Sequence, residues 1–495
     1  VLESYKVKKV VLQKKQYLFV CHCGATDSPE GPCRAESARE PCIRELEIRV
    51  APIVNPVNYN TSFSRSALIS TLVRSRQLRV FAPVALFFLV FVGGASGQNT
   101  ALISLDQAID LALAHNHSIK ATRTQILQNQ AQEITANLRP NPSLGADTQF
   151  VPFFSPQDFS GDNLNTVQQF DVGISYLFER GHKRQRRLQA ARDQTAVTRA
   201  QVTDAERTLV LNVGQQFVSV LLAESTLQFA LEDLKDFQQT VDIGEAQLKA
   251  GYIGEGDYLK IKLQLLQFQT DVSSARLAKV QALVGLREFL GYDAVPANFD
   301  VIGDLAYQPL KVALEDLQTK ALRERPDFRA AALGVTAAKS QILLAKANAK
   351  VDVNGTYDFT HVSGENTASI FANFELPIFN RNQGEIARTG YALTQAQEQQ
   401  QAASDTVLSD VANAYEAVKS NDEVVQLYTS GYLKQAQDSR EISEYAYKRG
   451  AASLLDFLDA ERSYRSVQLA YRQALSSYMN ALEQLKAAVG TRNLP

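Results

Sequence analysis

Four groups of residues have types and spacings that could do chemistry. Cys21-His22-Cys23, with Cys33 and Cys42, gathers thiols and an imidazole, the ligands zinc prefers. The spacing C-x-C-x9-C-x8-C fits no common zinc pattern, so no metal site is expected there. His115 and His117 lie two apart in a helical stretch and therefore point to different faces, which argues against a shared metal. Lys183, Arg184, Arg186 and Arg187 form a basic cluster. It has no interleaved aromatics and no nucleic-acid fold motif around it, so it reads as a solvated face. Asp456 and Asp459, three apart at a helix start, share a face and suit the positive end of a helix. No nucleophile–base pair, phosphate loop or H-E-x-x-H motif occurs, so neither an enzyme nor a cofactor is expected.

The elements that must position these residues follow from composition and period. The chain has 495 residues and a formal net charge of −2, which gives no global reason to bind nucleic acid. Its 15 prolines are unevenly placed, with none in 157–295 and none in 378–494. Such spans, rich in Ala, Gln, Leu and Glu, read as long helices.

Near the beginning, Arg74, Arg76 and Arg79 precede the apolar run VFAPVALFFLVFV (80–92) and the small residues 93–97. That is the layout of a secretory signal at 74–97 with a cut after Gly97. The run is short of the ~20 residues a membrane-spanning helix needs. Residues 1–70 are therefore expected to be absent from the mature protein, and 1–97 to be leader. All four cysteines fall in it. The mature chain then needs no disulfide, and no Cys follows the cut to carry a lipid.

The rest alternates between two periods. Helices are expected over 104–138, 183–290, 312–347 and 381–489, with turns inside the second and fourth at Gly251 and Gly450. Strands of period two are expected over 142–150, 168–178, 350–360 and 369–378. Twice a strand hands over to a long helix: QFDVGISYLFERGHK (169–183) and SIFANFELPIFNRNQG (369–384). Tyr176, Phe178 and Arg180 mark the first joint, and Pro377, Phe379 and Arg381 the second.

The chain is internally duplicated, as 98–310 and 311–495. Leu113 and Leu322 lie 209 apart, as do Phe150 and Phe359. Phe178 and Arg180 match Phe379 and Arg381 at 201, and Gly251, Asp257, Leu259 and Gly291 match Gly450, Asp456, Leu458 and Gly490 at 199. An offset constant within each element is specific to a repeat. Residues 183–248 would span ~99 Å as a helix, and the two shorter helices of the same half, end to end, ~103 Å. So two short helices should stack along one long one, with irregular segments after Gly291 and Gly490 forming a belt. In the last helix Phe457, Tyr464, Tyr471, Tyr478 and Leu485 recur every seven residues, as do Ala460, Val467, Ala474, Ala481 and Ala488. These stripes imply packing along a neighbouring helix.

Strands of eight or nine residues, oily on one face and polar on the other, suit a membrane barrel. Four cannot close one, since the smallest have about eight. Several chains must contribute.

LDQAIDLALAHNHSIKA (105–121), LRPNPSL (138–144), RERPDFRAA (323–331), LPIFNRNQGEIA (376–387) and KRGAASLLDFLDAERSY (448–464) resemble, in order, the signatures of TolC-like outer-membrane efflux proteins. FERGHKRQRR (178–187) resembles the heavy-metal branch. The resemblance implies an α+β membrane protein: a homotrimer whose twelve-stranded outer-membrane β-barrel, four strands per chain, continues as a long periplasmic α-helical barrel. It implies a passive exit duct for small molecules or metal ions, served by a periplasmic adaptor (membrane fusion protein) and, through it, an inner-membrane pump. Asp456 and Asp459 would form the acidic ring of the periplasmic gate, and Gly251, Asp257, Gly450 and Ser453 the adaptor-contact tips. Ala451, Ala452 and Ser453 stand where some relatives carry a basic residue, so the partner for a salt-bridged lock is missing. Two alternatives remain: a duct for a type I protein secretion system, and a periplasmic coiled-coil rod or adaptor.

Overall fold

The structure, a computed structural model, describes residues 101–494. The expected leader, its signal segment and the four cysteines lie outside them.

In chain order the elements are β1 (Leu102–Ile103), α1 (Leu105–His115), α2 (His117–Asn137), β2 (Ser143–Gln149), α3 (Gly161–Thr166), β3 (Gln169–Phe178), α4 (Lys183–Lys249), α5 (Glu255–Leu290) and β4 (Asp300–Val301). Then come α6 (Leu314–Glu324), α7 (Pro326–Asn348), β5 (Val353–Val362), β6 (Glu365–Asn373), α8 (Gln383–Leu427), α9 (Leu433–Lys448) and α10 (Leu454–Val489). Among the described residues no helix is long and apolar enough to cross a membrane.

Two helices expected to be continuous are broken. Ser104 starts α1 with a capping box closed by Gln107. Asn116 then leaves the helical region, and its side chain caps α2 by accepting from the Ser118 and Ile119 amides. The second break falls 209 residues later, at Arg325. It precedes Pro326, which drives it to extended φ/ψ and itself opens α7. Both breaks face the end of a neighbouring helix. The Asn116 amide donates to Phe289 O at 3.1 Å, and Gly291 packs on His115. Likewise Gly490 packs on Arg325. The short helices are thus stacked end to end along a long one, α1 and α2 with α5, α6 and α7 with α10.

α4 has 67 residues, ~100 Å of helix. Its counterpart is interrupted: α8 and α9 are joined by a π-helical turn, Tyr428–Tyr432, in which Gly431 takes φ 155°. On α10, Phe457, Tyr478 and Leu485 of the heptad stripe are buried, and so are Ala474, Ala481 and Ala488 of the small-residue stripe. The core runs along the bundle. Ile109, Val213, Phe217, Leu286, Leu290 and Phe299 fill one belt-level cluster. Leu317, Val407, Val411, Tyr478 and Leu485 fill the other. β1 and β4 pair in parallel beside them.

The four longer strands form one antiparallel sheet in the order β2-β3-β5-β6. The β5–β6 turn is two residues, Ser363 and Gly364, both with positive φ, which fits the twist of a hairpin and sets its register. The β2–β3 connection is longer and carries α3. β6 ends at Asn373, five residues short of expectation, because its last partner is Asn354 on β5 and nothing pairs beyond it.

The register also corrects the repeat. Gly145 faces Gly173, while Asn354, 209 residues beyond Gly145, faces Asn373, 200 beyond Gly173. The residues before α4 and α8, His182 and Asn382, are also 200 apart, and both are left-handed. The 201 spacing of the Phe/Arg pairs is therefore one residue out of step with the backbone. Phe178 is equivalent to Ile378, and Arg180 to Asn380.

Gly490 ends α10 with φ 82°, and a Cβ there would sit 3.2 Å from Arg325 Cα. Gly490→Ala is expected to cost about 1–3 kcal/mol through left-handed strain and this contact, read as a lowered Tm. An unchanged Tm would show that the belt absorbs the side chain.

Candidate functional site: hairpin tips and strand–helix joints

The two hairpin tips are built alike up to the turn. After α4, the Gly251 amide donates to Leu248 O and the Tyr252 amide to Gln247 O; after α9, the Gly450 amide donates to Tyr447 O and the Ala451 amide to Ala446 O. Each is a Schellman closure with a left-handed glycine, φ 77° and 74°. Nothing lies within 4 Å of a Cβ at either glycine, so backbone conformation, not crowding, calls for glycine.

Beyond the turns the tips differ. Ser453 opens α10 with a capping box: its hydroxyl accepts from the Asp456 amide, and Asp456 Oδ2 accepts from the Ser453 amide at 3.1 Å. Gly254, the equivalent of Ser453, has no side chain to cap α5, and Asp257 pairs instead with Lys260 at 3.0 Å. The hydrogen bonds from Ser453 hold the Asp456 carboxyl below its ordinary value. Asp456 therefore serves its own helix start. Asp459 is exposed and reaches Arg462 Nη1 at 3.2 Å, a surface pair of little energetic weight. Both carboxylates stand on the exposed side of the tip.

The joints share a left-handed residue before the helix and differ in what anchors them. At the first, Phe178 stands edge-on to Tyr176 at 4.9 Å, and its ring covers Gly355. The Arg180 amide donates to Asp352 Oδ1 at 2.9 Å, and Lys183 Nζ meets Asp352 Oδ2 at 2.7 Å. Arg187 grips Glu179 through both terminal guanidinium nitrogens, one at 3.0 Å. That contact raises the Arg187 pKa. Half of the basic cluster is thus not a solvated face but a clamp between β3, α4 and the start of β5. Asp352 and Glu179, its acidic partners, were not singled out by sequence. Only their standing directly beside a strand end hinted at them.

At the second joint Arg381 Nε donates to Pro377 O at 3.0 Å. The Asn382 side chain donates to Ala345 O at 2.8 Å, tying the start of α8 to the end of α7. Phe379 is exposed. So Arg180 and Arg381, alike in sequence, do different work. A cleft of about 760 Å³ lies between the joints, lined by Lys183, Asp352, Phe374, Pro377 and Arg381 among others.

A mostly helical chain that hands one four-stranded sheet over to long paired helices, twice, has the fold of outer-membrane channels. Residues 108–292 and 317–491 match the family model described as outer membrane efflux protein, and the chain belongs to that family. The two matched runs meet the two halves of the repeat. The chain is an efflux component of the outer membrane.

Among relatives, it is 22% identical to the cobalt-zinc-cadmium resistance protein CzcC of Cupriavidus metallidurans, over 78% of this chain and 90% of that one. It is 25% identical to the cation efflux system protein CusC of Escherichia coli K12, over 72% and 79%. The crystal structure of the outer membrane protein VceC from Vibrio cholerae superposes with a TM-score of 0.63 at 18% identity, covering 78% of this chain and 96% of that one.

Ser453→Ala removes one half of the capping box and should cost about 1 kcal/mol. The check is hydrogen exchange at the Asp456 and Phe457 amides, expected to quicken while the belt amides do not. Unchanged tip exchange would mean that the box contributes nothing.

Proposed function

We propose that three copies of this chain close into a passive exit duct, a barrel of twelve strands in the outer membrane continued by twelve helices in the periplasm. The observation that carries this is that every layer is four elements wide and open at both edges. The sheet runs β2-β3-β5-β6. Above the belt the helices adjoin in the order α2, α4, α7, α8, and toward the tips α5, α4, α10, then α8 with α9. The outer edges are apolar and uncovered. On α5, Leu259, Leu263 and Leu266, and eleven residues on Leu277, Val280 and Val284, are exposed, each group spaced by three and four in one heptad frame. On the opposite edge Val424, Leu427, Ile442 and Tyr445 are exposed. Unlike edges joined head to tail produce a ring, and joining β6 to the next β2 removes both open strand edges.

The sheet's apolar face supports a lipid contact. Leu144, Ile174, Tyr357 and Ile370 stand side by side across all four strands, and all four are exposed. A water-soluble rod would not display such a row, which disfavours the coiled-coil alternative. Three is the copy number that the family resemblance implies, and four strands alone cannot close a barrel.

In this reading Tyr176–Arg180 and Pro377–Arg381 form the passage from barrel to tunnel. Gly251, Asp257, Gly450 and Ser453 meet a periplasmic adaptor, which links the duct to an inner-membrane pump. Asp456 and Asp459, repeated three times at the inner end, form an acidic ring that narrows the aperture. Small molecules or metal ions are the cargo. The names of CzcC and CusC favour metal cations.

Replacing Asp456 and Asp459 together with Ala should raise single-channel conductance in planar bilayers and weaken block by multivalent cations. A variant with wild-type conductance and block would remove the gate from this reading. Deleting the gene should sensitise cells to divalent transition metals more than to dyes or antibiotics; the reverse pattern would assign a different cargo.

A further inference from the structure

Where α4, α5, α9 and α10 meet in the tip half, six charged side chains cluster, with two carboxyls buried at the centre and Asp271 half-buried and Asp236 exposed at the margin. Asp233 on α4 and Glu461 on α10 are 3% and 2% exposed. Arg465 on α10 lies between Asp233, at 2.6 Å, and Asp271 on α5. Arg440 on α9 lies between Glu461, at 2.7 Å, and Asp236 on α4, at 3.6 Å. The guanidinium of Arg465 also stacks over Phe268 and that of Arg440 over Tyr464. Arg472, over Phe229, adds a more distant positive charge. Four carboxylates are thus served by two guanidinium groups in contact.

The hydrogen bonds show what is missing. Arg440 Nε donates to Glu461 Oε2, but Glu461 Oε1 is buried without a donor. Neither oxygen of Asp233 accepts a hydrogen bond, because Arg465 Nε is close but not aligned. An ionised carboxyl is acceptor-only, and a buried acceptor without a donor is costly. One proton added to the pair turns an acceptor into a donor and lowers the excess negative charge at the same time, as in other buried carboxyl pairs.

We infer that Asp233 and Glu461 share a single proton, and that this proton clamps α4 to α10 and so makes the grip between the two hairpins depend on periplasmic pH. α4 belongs to the first hairpin and α10 to the second, and both carboxyls lie between the belt and the tips. Losing the proton leaves a buried negative charge on each hairpin, with Arg465 and Arg440 shared among four carboxylates.

The direction of titration agrees with the geometry. Burial first, and then the neighbouring Glu461 charge, push the Asp233 carboxyl up to about 7, against the opposing pull of Arg465 and Arg440. A carboxyl raised in the folded state stabilises it fully below its unfolded value, near 3.8, and loses that contribution as pH rises through about 7. The clamp therefore tightens in an acidified periplasm and slackens above neutrality.

The test uses the purified full-length protein in detergent. In infrared difference spectra between pH 5.5 and 8.5, the wild type should show a protonated-carboxyl C=O band that titrates near pH 7 and is missing in Asp233→Asn. The Tm of the wild type should fall across the same window, while that of Asp233→Asn, whose amide keeps a donor toward Glu461, should stay flat. No such band in the wild type, or the same band and the same fall of Tm in the variant, would overturn the proposal. If Asp233→Asn does not fold, Glu461→Gln is read in the same two measurements, and its band must also be lost or shifted away from pH 7.

Discussion

A 67-residue helix with mixed surface must be covered along its whole length, and most of this structure follows from that constraint. No single partner in the chain is long enough on its own. Two shorter helices must therefore meet end to end beside it, and their meeting point leaves unsatisfied backbone groups from both. The chain meets this need with a polar break on one side and a glycine on the other. In the first half Asn116 caps α2 and donates to Phe289 O near the end of α5. In the second, the buried Arg325 guanidinium reaches Ala488 O near the end of α10, with Asp327 and Asp410 balancing its charge. Asp327 is held below its ordinary value despite its burial, because Arg325 outweighs the desolvation.

The repeat solves the same packing problem twice with different side chains. Where one half uses an amide, the other uses an arginine followed by proline. One strand–helix joint is clamped by ion pairs through Asp352 and Glu179, and the other by hydrogen bonds from Arg381 and Asn382 to backbone carbonyls. One long helix is unbroken, and the other carries a π turn at Gly431. What the halves conserve is backbone conformation: a left-handed residue before each long helix and a left-handed glycine at each tip. Geometry that the next element depends on is retained; the chemistry that secures it is free to change.

This division explains why the tips and the edges carry the functional reading. The tips expose short turns with little packing around their glycines, and they can meet a partner without disturbing the core. The edges expose apolar side chains in the spacing of a coiled-coil seam. The interior of the tip half is different. There a coupled set of carboxyls and guanidinium groups replaces part of the apolar core, so the contact between hairpins responds to charge in a way that Phe237, stacked on Phe268 at 4.4 Å, cannot.

By itself the sequence determined the four longer strands, the long helical stretches and their order, but not the breaks at Asn116, Arg325 and Gly431 or the short β1–β4 pair. Period two and period 3.6 separate cleanly when strands are half-buried and helices are long, and the glycines at 251, 291, 450 and 490 mark the turns because each needs positive φ. The duplication was legible for the same reason, apart from the one-residue slip at the joints. There the Phe and Arg pairs match at 201, while the backbone keeps step at 200 through His182 and Asn382. Only the tertiary structure decided which polar residues matter. Asp352, Asp233 and Glu461 look like ordinary surface acids along the chain, and their roles arise from partners about 170 or more residues away or from burial by four helices. Local pattern carries no information about such partners, because a charge is costly or stabilising only once the fold has chosen what surrounds it.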